Sequence, residues 1–247
     1  MKTLGGVIAR PDGSLMRGQI AFAETITGVE ASSTAGDDFI LPGFIDLQVN
    51  GSHGIDAMTA SADSLVSLSQ HLAREGTTAW LPTAVTAPLL QIERVHSAID
   101  DAMRAKTVML NAAAILGMHL EGPFISPLRL GAHPPLTLEP SGDAFERVLA
   151  LRALRLLTLA PELPGAIEAI TRLAARGVVV SIGHANATLE EAQAGLDAGA
   201  RMFTHLFNAM RPLNHRDPGV IAAALDSREA YPAVIPDGVH VHPTILS

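Results

Sequence analysis

The sequence predicts an α/β chain built as a TIM-like (β/α) barrel, preceded by a small β portion. Three observations predict it. From Phe39 onward, apolar stretches of strand length alternate with stretches of helix length, the pattern of a parallel sheet. Three of the helical stretches close alike, as LAREG-TTAW, LAARG-VVVS and LDAGA-RMFT, with a glycine just past the last turn and a strand immediately after it. Finally, one carboxylate and two imidazoles, on Glu121, His184 and His205, fall where predicted strands end, which is where such a barrel builds its active site.

Residues 1 to 40 read differently from the rest. Short alternating stretches at Val7–Ala9 and Gln19–Phe22 are broken by Pro11-Asp12-Gly13 and by a loop over Ser32–Asp38, as in small strands joined by turns. The barrel portion is assigned to residues 41 to 247. Its strands are expected at 40–49, 78–84, 114–120, 154–160, 178–183, 201–207 and 232–236. Helices are expected near 61–74, 88–105, 143–152, 165–175, 188–198 and 218–226, the fifth opened by a capping box of Thr188 and Glu191. That gives seven strands, whereas a closed barrel needs eight. An open doubly wound sheet can stop at seven, so the count leaves both open. As a barrel, the chain is expected to lack strand eight, ending just inside the helix after strand seven.

Composition narrows the function. With 48% hydrophobic and 17% charged residues the chain can bury a real core. A net charge of −8 argues against nucleic acid, whose phosphates call for clustered Lys and Arg, and aromatics at 4% leave little for base stacking. No apolar run is long enough to span a bilayer and no leader pattern opens the chain, so a cytoplasmic location without membrane contact is expected. The absence of cysteine excludes disulfides and thiol chemistry, and restricts any metal to His and carboxylate ligands.

Glu121 lies in the string GMHLEGPF, His184 in SIGHANAT and His205 in MFTHLFNAM. Alone, a His at a strand end is more often a hydrogen-bonded core residue, and a Glu before Gly-Pro more often a loop residue. Three together point to a divalent metal of the zinc type in a metal-dependent hydrolase. His184 and His205 stand 21 residues apart, one helix plus one strand, and so belong to adjacent strands. H-x-E at 119–121 is not the nucleic-acid deaminase signature, whose cysteine half is impossible here. Gly183, Ala185, Asn186, Thr204 and Asn208 are small or polar neighbours that let a substrate approach. Asn208 could offer an amide to a sugar or carbonyl, or simply cap its loop. His240 closes strand seven in Asp237-Gly238-Val239-His240 and could polarise a substrate carbonyl. His133 and Arg216, on two separate loops, could together bind an anion such as phosphate, though either alone reads as a solvated charge.

The strings LPGFIDLQVNG, HLEGPF, GAH, GHANAT, THLFNAM, RDPG and DGVH, in this order from about residue 39 onward, closely resemble the N-acetylglucosamine-6-phosphate deacetylases of the amidohydrolase superfamily. The resemblance implies a metal-bearing (β/α)8 barrel with a small β-sandwich built from both chain ends, residues 1–40 fitting its N-terminal portion. It places Glu121, His184 and His205 as metal ligands. Ala132, His133, Asn208, Ala209, Arg216, Asp237, Gly238, Val239 and His240 match substrate-contacting positions, His240 at the acetamide carbonyl. Gln48 and Asn50, also expected to contact substrate, stand where many amidohydrolases carry His-x-His for a second metal. Amide side chains ligate zinc-type ions poorly, so one essential ion is expected, zinc or alternatively iron(II). The catalytic Asp of the family lies at the end of strand eight, beyond the residue matching His240, and no Asp here occupies that position; Asp46 reads as structural and His53 as a surface-loop residue. A homodimer is implied by the resemblance alone.

The expected reaction is hydrolysis of the N-acetyl group of N-acetylglucosamine 6-phosphate to glucosamine 6-phosphate and acetate. Two alternatives stand beside it. One is another amidohydrolase-type reaction, such as deamination or ring-amide hydrolysis. The other is a non-catalytic piece that binds metal and sugar phosphate, or an assembly subunit completed by a partner segment.

Overall fold

The computed structural model describes residues 1–105 and 111–247. They form two compact units, Met1–Phe44 and Ile45–Ser247. The first is a four-stranded sheet of β1 (Lys2–Ala9), β2 (Leu15–Phe22), β3 (Ile26–Ala31) and β4 (Phe39–Ile40), in the order β3-β2-β1-β4. Pro11-Asp12-Gly13 makes the turn joining β1 to β2: Gly13 takes a left-handed conformation and Asp12 accepts a hydrogen bond from the Ser14 N–H. Arg17 ties down the following loop by donating to the carbonyls of Ala35 and Gly36 at 2.8 and 3.0 Å.

The second unit begins within β5 (Phe44–Val49), followed by the small hairpin β6 (Gly51–Ser52) and β7 (Ile55–Asp56). Then α1 (Ala62–Arg74), β8 (Thr77–Val85), α2 (Leu89–Arg104), β9 (Ala114–Ile115), β10 (Met118–Glu121), α3 (Gly142–Leu149), β11 (Leu154–Leu159) and α4 (Ala166–Ala175) follow. The chain continues through β12 (Val179–Ile182), α5 (Leu189–Asp197), β13 (Met202–Phe203), α6 (Gly219–Asp226), β14 (Tyr231–Pro232) and α7 (Pro243–Leu246). Seven strands lie side by side in the order β14-β13-β12-β11-β10-β8-β5, with β9 paired to β8 off this path. They curl through 248°, which makes the sheet an incomplete TIM-like barrel. Every helix from α1 to α6 was expected to within two or three residues at each end.

Each helix buries a stripe. In α1, Leu65, Leu68, Ser69 and Leu72 recur at three- and four-residue spacing and are buried. The sheet answers with Leu157, Leu159, Val180, Ile182 and Phe203, all essentially inaccessible. The glycines that end α1, α4 and α5, at 76, 177 and 199, all have positive φ, as a left-handed helix stop requires. The capping box at Thr188 and Glu191 is formed in both directions.

Two expected strands are divided. The stretch 40–49 breaks at Leu41-Pro42-Gly43, because proline has no N–H for a ladder; β4 pairs with β1, and β5 belongs to the curled sheet. The stretch 114–120 breaks at Leu116-Gly117, where Gly117 has φ 147° and a side chain would collide with Arg155 and the Ala153 carbonyl. The last two barrel strands are two residues each, much shorter than expected.

Candidate metal centre and active site

Glu121 is the last residue of β10, while His184 and His205 each lie two residues beyond β12 and β13. Those two strands are neighbours, and β10 is two places from β12. All three side chains therefore emerge at the same end of the sheet. Both histidines have positive φ, 48° and 32°. Residues other than glycine adopt this conformation at a cost and keep it where their surroundings over-determine it, commonly at functional sites. Here the carbonyl of His184 accepts from the Ser126 N–H at 2.9 Å, and that of His205 from the Asn208 N–H at 2.9 Å.

The three groups meet closely. Glu121 Oε1 lies 3.1 Å from His184 Nε2 and 3.0 Å from His205 Nε2, and the two Nε2 atoms are 3.0 Å apart. All three residues are buried. His184 Nδ1 is 2.9 Å from the Arg129 carbonyl oxygen, which can only accept, so Nδ1 carries the proton and Nε2 presents its lone pair. The His184 lone pair and the Glu121 carboxylate, facing one another at this distance out of water, repel unless a proton or a metal cation lies among the three groups. His205 Nδ1 is buried without a hydrogen-bond partner among the described residues. One carboxylate and two imidazoles form the donor set of a zinc-type site, and these side chains could hold a metal ion. Burial alone would raise the Glu121 carboxyl, but His133, His184 and His205 around it outweigh that and hold it far below the usual carboxylate range.

A cavity of about 560 Å³ opens above this cluster, lined by Glu121, His184 and His205 with Gln48, Asn50, Ala132, His133, Asn208, Ala209 and His240. The remaining expected substrate residues, Arg216, Asp237, Gly238 and Val239, do not line it. Arg216 is exposed in the loop held by the Arg211–Asp217 ion pair. Asp237 instead supports His240: its carboxylate takes the ring Nδ1 at 2.7 Å and the N–H groups of Val239 and His240 at 2.8 Å. The His240 N–H, then the ring, then the Val239 N–H bring the Asp237 carboxyl down to about 2.

His133 sits differently from a loop cation. Its side chain is 6% exposed, its Nδ1 is 2.8 Å from the Thr86 hydroxyl, and its Nε2 is 3.6 Å from Glu121 Oε2. It packs edge-on against His184 with ring centroids 4.4 Å apart. His133 thus faces Glu121 and His184 and is not a solvated loop cation. Gly183 also serves another purpose than substrate access: a side chain there would come within 2.8 Å of both Thr158 and Thr204. Asn208 is half-buried, with its side-chain amide 3.4 Å from the Leu206 carbonyl. Asp46 accepts from the Gln48 N–H, and His53 lies at the surface on Glu75 and against His71.

Several contributors were missed from sequence. Thr86, the Arg129 carbonyl and Gly131 all act through long-range contacts, Gly131 because its missing side chain leaves room for the His184 ring. Only the richness of the HLEGPF-to-GAH stretch hinted that this loop folds back over the ligands.

The amidohydrolase family model matches residues 39–247. An N-acetylgalactosamine-6-phosphate deacetylase of Escherichia coli is 39% identical over 213 residues, 85% of this chain and 56% of that protein. N-acetylglucosamine-6-phosphate deacetylases of Danio rerio and Homo sapiens are 39% and 36% identical, over 84% and 98% of this chain and 54% and 63% of theirs. The chain therefore spans between half and two thirds of the length of these curated relatives. The crystal structure of N-acetyl-D-glucosamine-6-phosphate deacetylase from Mycobacterium smegmatis superimposes with a TM-score of 0.88 at 34% identity, covering 100% of this chain and 66% of that one. That from Thermotoga maritima gives 0.87 at 29%, covering 97% and 64%. With the match running from residue 39 to residue 247, through β10, β12 and β13, the chain belongs to the amidohydrolase family.

Proposed function

We propose that this chain carries the metal-binding part of a deacetylase acting on N-acetylglucosamine 6-phosphate, with glucosamine 6-phosphate and acetate as products. The observation that carries the reading is the buried convergence of Glu121, His184 and His205 at the strand ends. Relatives and solved structures bearing that activity in their names support the choice of substrate. One divalent ion is proposed, zinc, with iron(II) as the other ion this donor set accepts. Gln48 and Asn50 line the cavity in place of the imidazoles a second ion would favour.

Glu121, His184 and His205 would hold the ion, which would supply Lewis acidity toward the amide carbonyl and the attacking water. The residues of the chain do the rest. Arg129 fixes the His184 tautomer, and Thr86 holds His133 against Glu121. With Nδ1 turned to Asp237, His240 has Nε2 left for the cavity it lines, where it meets the oxygen of the amide as negative charge develops. Asn208, Ala209 and Ala132 bound the space for the sugar, and Arg216, outside the cavity, is assigned to the phosphate or its surroundings. Action in the cytoplasm, as a homodimer, belongs to the same reading.

Proton transfer from water to the leaving amine needs a base. Among the described residues lining this cavity, Glu121 is the one carboxylate, and it is committed to the imidazoles. This favours a second reading, in which the present chain binds metal and sugar phosphate without turnover. Acetate release from N-acetylglucosamine 6-phosphate with zinc supplied separates the two. Release establishes the deacetylase and means that a residue present here moves the proton. Folded, zinc-loaded chain that binds the sugar phosphate but releases no acetate establishes the second reading. Turnover of a nucleobase or cyclic amide instead would overturn both.

A further inference from the structure

Beneath the three ligands lies a polar layer that the mechanism above does not use. Branched apolar side chains usually fill a parallel barrel at this depth. Here β8, β10, β11, β12 and the residue after β13 supply Thr83, His119, Thr158, Ser181 and Thr204, all buried. They form one chain of contacts. Ser181 Oγ is 2.6 Å from Thr204 Oγ1, which is 2.7 Å from Thr158 Oγ1, which is 2.8 Å from His119 Nε2. His119 Nδ1 is 3.4 Å from Thr83 Oγ1, whose proton goes to the Leu81 carbonyl at 3.2 Å.

The His119 ring also hydrogen-bonds the backbone of Leu47, so β5 joins the layer. The hydroxyls pair with one another and with the ring whichever way the protons run.

The layer is tied to the ligands by sequence and by packing. His119 precedes Glu121 by two residues, and Thr204 immediately precedes His205. Gly183, immediately before His184, is gripped between Thr158 and Thr204 so closely that a side chain would lie 2.8 Å from each. His184 and His205 are also the two ligands in the costly left-handed conformation. We propose that the hydroxyl chain, with Thr204 at its centre, is a positioning layer for the metal centre, holding the backbones of Gly183–His184 and Thr204–His205 so that both Nε2 atoms aim at Glu121.

The proposal rests on the metal-centre reading, and its test separates the two. Zinc affinity is measured by competition with a chelating dye, and the cobalt(II) spectrum is recorded, for the unaltered chain, Thr204→Val, Thr204→Ser and Ser69→Ala. Ser69 is a buried hydroxyl bonded to Trp80 Nε1 and the Leu65 carbonyl, away from the centre. Thr204→Val is expected to weaken zinc binding by roughly tenfold or more, the range typical of lost outer partners of a metal ligand, and to alter the cobalt spectrum. Thr204→Ser is expected to restore both, and Ser69→Ala to leave both unchanged. Should Thr204→Val not fold, Thr158→Val breaks the same chain one step away. Unaltered affinity and spectrum in a folded valine variant, or an equal loss in Ser69→Ala, overturns the positioning role alone. An unaltered chain that binds no zinc overturns the metal-centre reading and this role with it.

Discussion

Around Gly183 and Glu162, single atoms decide how the site is held. Gly183 has Thr158 on one side and Thr204 on the other, and their hydroxyls are hydrogen-bonded to each other at 2.7 Å. Gly183→Ala is therefore expected to cost about 1–3 kcal/mol of stability through overpacking, read from chemical denaturation; a loss well below that would mean the two threonines yield easily. Glu162 Oε1 accepts the Asn186 N–H at 2.6 Å, while Oε2 is buried with no hydrogen-bond partner among the described residues. Burial raises its pKa, against hydrogen bonds from Asn186, its own backbone and Ser126. A raised carboxyl contributes stability that is fully present below its ordinary pKa and is lost as pH rises through the folded value. Glu162→Gln should thus shift the balance of melting temperatures toward pH 8 relative to pH 5, and an unchanged balance would contradict the assignment. Glu121, His184 and His205 were legible in sequence because each lies at or just past a strand end. The burial of His133 was not, since it depends on Thr86 and Glu121, both remote in the chain. The left-handed backbones of His184 and His205 were equally hidden, as nothing in the residue type announces them.

The elements that position the site were set largely by local chemistry. Thr188 and Glu191 cap α5, whose first turn follows His184 by a few residues. Thr188→Ala is expected to cost about 1 kcal/mol, measured by urea unfolding; no measurable change would show that tertiary packing alone fixes this helix start. Glycine stops at 76, 177 and 199 made the helix ends readable, because few other residues tolerate that conformation. Strand interiors were less readable. The break at Pro42-Gly43 assigns β4 and β5 to different sheets, a pairing choice that apolar character alone does not encode. Likewise β13 stops at Phe203 because His205 turns away to reach the centre, although the apolar run continues to Phe207.

At the scale of the molecule, the curled sheet brings three strand ends together and leaves its polar functional groups at one end. Alternation of strands and helices sufficed to read that architecture; the degree of curl was not legible, because it arises from twist summed over seven strands. A site assembled from β10, β12 and β13 exists only in the folded chain, so a metal bound there stabilises the fold by mass action, about 2.7 kcal/mol at a free concentration one hundred times Kd. The most direct measurement is metal content by mass spectrometry, after zinc loading and buffer exchange, for the unaltered chain and for His184→Ala. One zinc per unaltered chain and none in a folded His184→Ala variant is the expected result. Equal zinc in both, or none in either, would contradict the assignment of Glu121, His184 and His205 as the metal centre.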